Sequence, residues 1–300
     1  MRRVLIDTDP GIDDAIAILF ALHAPGLEVE GITTVAGNIG LGVTTRNALR
    51  ILALGGQAVP VAAGSAAPLT RAGVQELAIH GEDGLGGVTL PDPLAAPVAG
   101  EAVAWLAGKL MAQEVGTFDL LALGPLTNIA RLVREAPEAA RRVGRLVAMG
   151  GAIEVRGNVG PHAEFNIAND PEAAEIVLAA GLDLTLIPLD VTRQVRADAA
   201  FLSRLDRAGT PQALAVRDLV AAYFDRAADV ARPESRPLHD PCVPVLALQP
   251  ELFDLQPMHL SVICDDADEA GRLVAGEHPV KVTMGVRAEA VLDLLAGTLG

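Results

Sequence analysis

The sequence predicts an α/β protein: an open, mostly parallel, Rossmann-like sheet with helices on both faces and the active site at the carboxyl ends of the strands. Three observations lead there. Short apolar runs alternate with helix-like segments of about ten residues or more, the βαβ rhythm that imposes right-handed crossovers and parallel pairing. Of 300 residues, 51% are hydrophobic and 20% charged, which is apolar mass enough for a large core and unlike a disordered chain. No repeat or linker divides the chain, so residues 1–300 are expected to form a single domain.

Element by element, residues 4–6 read as the first strand, and residues 14–22 as a helix packed on it. Residues 29–34 are a second strand, 43–54 a helix closed by Gly55-Gly56, and 59–62 a third strand. Further strands are expected at 119–123, 145–149 and 182–189, with helices near 101–113, 126–134 and 171–180. The Pro- and Gly-rich stretches 64–73, 81–100, 150–169 and 232–244 are long for connections in a compact domain and are expected to be functional loops.

Composition narrows the function. The net charge of −15 repels phosphate backbones, so nucleic acid is not an expected partner. Met1-Arg2-Arg3 precedes only three apolar residues before Asp7, too short for an export signal, and no apolar run approaches the roughly 18 residues of a membrane span. Cys242 and Cys264 are the only thiols and form no disulfide framework. A soluble cytoplasmic protein without a membrane partner is expected.

The strongest chemical signal is Asp7-Thr8-Asp9-Pro10-Gly11-Ile12-Asp13-Asp14, where the first strand ends and a helix begins. A helix N-terminus stabilises one anion by roughly 0.3–1 kcal/mol, too little to hold four carboxylates together. A bound cation is the simplest remedy, and oxygen-only donors favour a hard ion, calcium somewhat better than magnesium. The plainer alternative is an acid-capped, solvated helix start.

A second element is Leu238-His239-Asp240-Pro241-Cys242, with Asp240 as an expected N-cap and Pro241 at the first helical position. Alone, His239-Asp240 reads equally as a surface cap or a catalytic pair. A third is Asn158 with Glu164-Phe165-Asn166, amides and a carboxylate around one ring, suited to sugar hydroxyls and an apolar sugar face. Asp170-Pro171-Glu172 explains itself as a helix start, whereas Asn158, Glu164 and Asn166 have no such structural excuse. Asn38 and the turn after Leu123 belong to the same sheet edge, and His80 sits in a loop where a lone His is usually solvated.

Taken together, the Asp-rich block at 7–14, residues 33–38, His80-Gly81, residues 124–130, Met149-Gly150-Gly151, Glu164-Phe165-Asn166 and His239-Asp240-Pro241 resemble, in order and spacing, the calcium-dependent nucleoside hydrolase family. The resemblance spans nearly the whole chain. It implies hydrolysis of the N-glycosidic bond of ribonucleosides. It further implies Ca2+ bound by Asp9, Asp14, Asp240 and the Leu123 carbonyl, with Asp9 also taking the proton from a metal-bound water. Asp13, Asn158, Glu164 and Asn166 would hold ribose hydroxyls, and Phe165 and Met149 would line the sugar's apolar side. Asn38 would sit near the attacking water, and His239, with His80, would face the leaving base. A homodimer or homotetramer is implied as well.

One departure is visible. Before His-Asp-Pro, where the family often presents aromatic or hydrogen-bonding residues to the base, residues 223–232 read YFDRAADVAR. Beyond Tyr223 and Phe224, Ala227 and Ala228 supply neither ring nor proton, which leaves base activation to His239, Arg226 or a water and keeps base preference open. Two other readings stand beside this one. A non-catalytic nucleoside or ribose binder would keep the clamp without turnover. A magnesium phosphatase would use Asp7 and Asp9 with Asp265-Asp266 as a later metal pair, leaving Asp13, Asp14, Glu164 and His239 without a role.

Overall fold

Strand β1 (Arg2–Thr8) is apolar at successive positions because both of its faces are covered: Val4 and Ile6 enter one buried cluster and Leu5 another. The computed structural model that shows this describes residues 1–225, 234–266 and 268–300. The same split recurs beyond β2 (Leu27–Thr34) and β3 (Val61–Ala63), in β4 (Phe118–Ala122), β5 (Leu146–Met149) and β6 (Leu184–Ile187). Leu121, Val147 and Met149 face one cluster; Leu120, Leu146 and Ala148 face the other. Helices Ile12–His23, Leu41–Gly55, Pro211–Asp225 and Ala288–Leu299 cover the first face, and Ala102–Met111, Thr127–Glu135 and Pro171–Ala179 the second.

These six strands pair parallel in the order β3-β2-β1-β4-β5-β6. Because successive crossovers leave β1 in opposite directions, a crevice opens beyond the carboxyl ends of β1 and β4, the switch point at which open α/β sheets bind ligands. The expected mostly parallel sheet with helices on both faces is the one observed.

The C-terminal part adds what the sequence reading did not foresee. A short ribbon joins β7 (Arg196–Asp198) to β8 (Ser235–Pro237), and β9 (Phe253–Val262), β10 (Leu273–Ala275) and β11 (His278–Val286) extend the main sheet. β11 pairs parallel with β6, and β9 runs antiparallel to β11. Half of the residues of β9 are exposed and the strand carries Pro257, so it lacks the apolar run that marks a covered central strand.

Other differences are local. Pro188 caps helix Leu189–Thr192 and ends β6 at Ile187, so the expected strand over 182–189 is trimmed by a proline that cannot extend the ladder. The expected loop 150–169 contains helix Phe165–Asn169, and 232–244 contains β8 and the start of helix Cys242–Leu248. Gly56 closes helix Leu41–Gly55 in the left-handed conformation, as the Gly55-Gly56 pair predicts. Among the described residues, no helix is long and apolar enough to cross a membrane.

Candidate active site

The chain passes from β1 through the Asp9-Pro10-Gly11 turn into helix Ile12–His23, so one short segment carries Asp9, Asp13 and Asp14 into the crevice. Asp14, three residues into that helix's start, accepts from the Gly11 N–H at 2.9 Å and from the Thr8 hydroxyl at 2.6 Å. It is therefore the helix cap of the plainer alternative, but a fully buried one. Asp240 arrives from the other end of the chain. The Asp13, Asp14 and Asp240 carboxylates place ligand oxygens within 4.8 Å of one another. Oxygens around one calcium ion, each about 2.4 Å from it, stand no further apart than about 4.8 Å, so the trio fits one shell.

Asp9 is joined to this group by Asn38. The Asn38 backbone N–H donates to Asp9 Oδ2 at 2.7 Å, and its side-chain amide donates to Asp14 Oδ2 at 3.2 Å and to the Asp9 carbonyl at 3.3 Å. Asp9 Oδ1 is buried and has no hydrogen-bond partner among the described residues. Two glycines make room for it: a Cβ at Gly37 would strike Asp9 Oδ2, and one at Gly124 would strike Oδ1. Beneath, Asp7 accepts from Thr33 and from Asn128 Nδ2, is fully buried, and does not line the cleft.

A cleft lies over this floor. It is lined by Asp13, Asn38, His80, Leu123, Met149 and Asn158, and by Glu164, Phe165, Asn166, His239 and Asp240. The predicted site residues from all the separate segments therefore converge, with Asp9 and Asp14 underneath.

The structure corrects the view that Asn158, Glu164 and Asn166 have no local structural work. Glu164 caps helix Phe165–Asn169, accepting from Asn166 N at 2.9 Å and Ile167 N at 3.2 Å, and it also accepts from Gly151 N at 3.1 Å. Asn158 Oδ1 accepts from Phe165 N at 2.9 Å. Asn166 Nδ2 donates to the Leu123 carbonyl at 2.7 Å and to the Met149 carbonyl at 3.2 Å, tying together the chain just after β4 and the end of β5. Since a carbonyl oxygen has two lone pairs, Leu123 keeps one acceptor site beyond this bond. A one-turn helix needs such external caps to satisfy its N–H groups, and those caps face the cleft.

Two further expectations change. Asp240 caps no helix: Cys242–Leu248 starts after Pro241 with no side-chain cap, and the Asp240 carboxylate turns instead to the other acids. His80 is not a solvated loop residue. It ends the short helix Leu77–His80, is only 6% exposed, and its Nδ1 accepts from the Ile12 N–H at 3.1 Å. His239 Nδ1 lies 2.7 Å from the Thr192 hydroxyl. Sequence reasoning missed Glu76 and Ile79, which line the mouth with Tyr223, whose ring stacks 5.0 Å from the Arg236 guanidinium. Phe224 is buried in the core. Arg226, Ala227 and Ala228 lie outside the described residues. Asp265 and Asp266 are exposed beyond β9 and do not line the cleft, so a phosphatase metal pair with Asp7 and Asp9 finds no support.

Electrostatics follows from the crowding. Burial, then the charges of Asp14 and Asp13, push the Asp9 carboxyl well above the carboxylate range; burial, then Asp13, Asp14 and Asp9, do the same to Asp240. Asp14 is raised by burial and by Asp13, and Glu164 is pushed up to about 7 because burial outweighs its three N–H donors. Asp7 is likewise raised by burial to about 7. A cation bound there would offset each shift in the acidic floor. The Asp13, Asp14 and Asp240 trio offers only oxygen donors and so fits a hard divalent ion; Asp9, with its orphaned Oδ1, is not one of the three.

An acid-floored cleft at the switch point of such a sheet marks an α/β protein that takes a small ligand there. The profile described as inosine-uridine preferring nucleoside hydrolase matches residues 4–293, and the chain belongs to that family. It is similar to the pyrimidine-specific ribonucleoside hydrolase RihA of Salmonella paratyphi B, 42% identical over 252 residues, covering 83% of this chain and 80% of the relative. It is also similar to the non-specific ribonucleoside hydrolase RihC of Shigella boydii, 40% identical over 260 residues and covering 86% and 83%. Among solved structures, the purine-preferring ribonucleoside hydrolase from Gardnerella vaginalis superposes with a TM-score of 0.93 at 29% identity, covering 99% of this chain and 98% of that one. The chain is a nucleoside hydrolase by that membership.

Proposed function

We propose that this chain, acting as one unit over residues 1–300, hydrolyses the N-glycosidic bond of ribonucleosides to free base and ribose, using calcium held by Asp9, Asp14, Asp240 and the Leu123 carbonyl. The observation that carries the reading is the buried Asp13, Asp14 and Asp240 trio, whose ligand oxygens lie within 4.8 Å of one another, with Asp9 Oδ1 buried and unpartnered among the described residues. Bound there, the cation would keep these carboxylates ionised and make a neighbouring water more acidic.

Asp9 Oδ1 accepts a proton from the attacking water, and Asn38, by fixing Asp9 Oδ2, keeps the other oxygen aimed at it. Asp13, which lines the cleft, accepts from ribose hydroxyls, which Glu164 and the amides of Asn158 and Asn166 also hold. Phe165 and Met149 cover the sugar's apolar side and exclude water. As the bond to the base lengthens, the ribosyl group gains oxocarbenium character, which the carboxylates below stabilise. Attack from the floor, opposite the base, inverts the anomeric carbon. His239 and His80 face the departing base. Because the clamp grips hydroxyls, deoxyribonucleosides react poorly.

The test is to incubate the protein with inosine, uridine and cytidine, with calcium and with a chelator, and to measure ribose. Release that depends on the cation is the expected result; no ribose from any of the three defeats the reading, and binding without cleavage would mark a nucleoside binder instead.

A further inference from the structure

We infer that the two histidines at the mouth are held as neutral Nε2–H tautomers by donors on their Nδ1 atoms, and that Thr192 is the positioning residue that does this for His239. The case for His80 needs only one bond. A backbone N–H can donate and never accept, so the Ile12 amide, 3.1 Å from His80 Nδ1, requires a lone pair there and leaves the ring proton on Nε2.

His239 is held by a group that could do either. The Thr192 hydroxyl, 2.7 Å from Nδ1, can donate or accept. Thr192 is completely buried, and among the described residues its hydroxyl has no other hydrogen-bond partner. If Nδ1–H donated to Oγ1, the hydroxyl proton would be buried without an acceptor; if Oγ1–H donates to Nδ1, nothing is left unsatisfied. The second arrangement puts the His239 proton on Nε2, the ring nitrogen that remains for the cleft.

His239 then presents an N–H toward the space where a base departs, beside His80 in the same lining. Ring nitrogens of purines and the O2 carbonyl of pyrimidines, next to the scissile bond, are acceptors for such donors, so the device suits either class of base. Thr192 lies in helix Leu189–Thr192, set by Pro188 at the end of β6, so the hydroxyl is fixed by the sheet and not by the mouth. The inference deepens the hydrolase reading and rests on it only for what the N–H groups meet.

The experiment is a two-bond proton–nitrogen correlation spectrum of the full chain labelled with 15N-histidine, at neutral pH, with His80→Gln and His239→Gln used to assign the signals. Both rings are expected to give the neutral Nε2–H pattern. In Thr192→Val, the His239 Nδ1 signal moves to that of an unbonded ring nitrogen and the His80 pattern stays; Thr192→Ser restores it. With calcium, the Val variant loses about tenfold in kcat on nucleosides with little change in KM, and Ser recovers it. A dominant Nδ1–H form of His239 in the unsubstituted protein overturns the inference, as do His239 signals unaltered by Thr192→Val. The spectrum of the unsubstituted protein decides even if the Val variant fails to fold. Should the tautomers be as stated while no nucleoside is cleaved, the hydrolase reading falls and the inference on the rings stands.

Discussion

At the floor of the cleft, the acids come from positions fixed by regular structure: Asp9 directly after β1, Asp13 and Asp14 in the first turn of helix Ile12–His23, and Asp240 two residues ahead of Cys242–Leu248. At the mouth, Glu76, Ile79 and His80 ride on a four-residue helix between long connections, and Tyr223 stands near the end of a long helix. The floor is stiff because ladders and helix caps hold its backbone, and in the proposed reaction its work concerns the sugar and the water. The mouth is built on connections, which tolerate change. Proteins similar to this chain carry names that are pyrimidine-specific, non-specific and purine-preferring. We propose that base preference in this chain is set at the mouth and not at the floor.

The sharpest way to break this division is to compare ordinary nucleosides with p-nitrophenyl riboside, whose leaving group needs no help. Asp9→Ala is expected to slow both substrates by about a thousandfold or more while ribose still binds by calorimetry; a loss confined to nucleosides would place Asp9 at the wrong end. His239→Ala is expected to cost about a hundredfold on inosine and uridine and little on p-nitrophenyl riboside. Equal losses on both would erase the distinction between floor and mouth.

Glu164 belongs to the floor's rim and links the clamp to stability. Its folded value of about 7 lies above the ordinary 4.5, so its contribution is full below 4.5 and is lost as pH rises through about 7. Glu164→Gln should therefore flatten the decline of Tm across that window, while lowering stability at acid pH by about 1 kcal/mol through the weakened cap. A Tm profile parallel to that of the unsubstituted protein would refute the burial argument. Smallest of all, Glu76→Gln at the half-buried mouth should shift the ratio of kcat/KM for cytidine over uridine by about threefold and leave p-nitrophenyl riboside untouched. An effect on the riboside would move Glu76 into the sugar's domain.

Legibility in the sequence follows the same line. Asp9, Asp13 and Asp14 could be found because four acids within eight residues at a strand–helix junction are too costly to be left unmatched. Glu164 and Asn158 were legible as polar groups near a ring but not as caps, since helix Phe165–Asn169 is too short to leave a periodic signature. His80 read as solvated because nothing local says that the Ile12 amide will meet it from 68 residues away. Glu76 and Thr192 carry no sequence signal at all.

By itself, the sequence determined the alternation of strands and helices, the parallel sheet with two covered faces, and the acid-rich turn after β1, because these depend on neighbours within a few residues. Tertiary structure alone decided which oxygens share a point in space, that Gly37 and Gly124 leave room for Asp9, that Asp240 turns away from its helix, and that β9, β10 and β11 extend the sheet. Those outcomes depend on crossover register and on contacts between residues up to hundreds of positions apart, which no local pattern encodes.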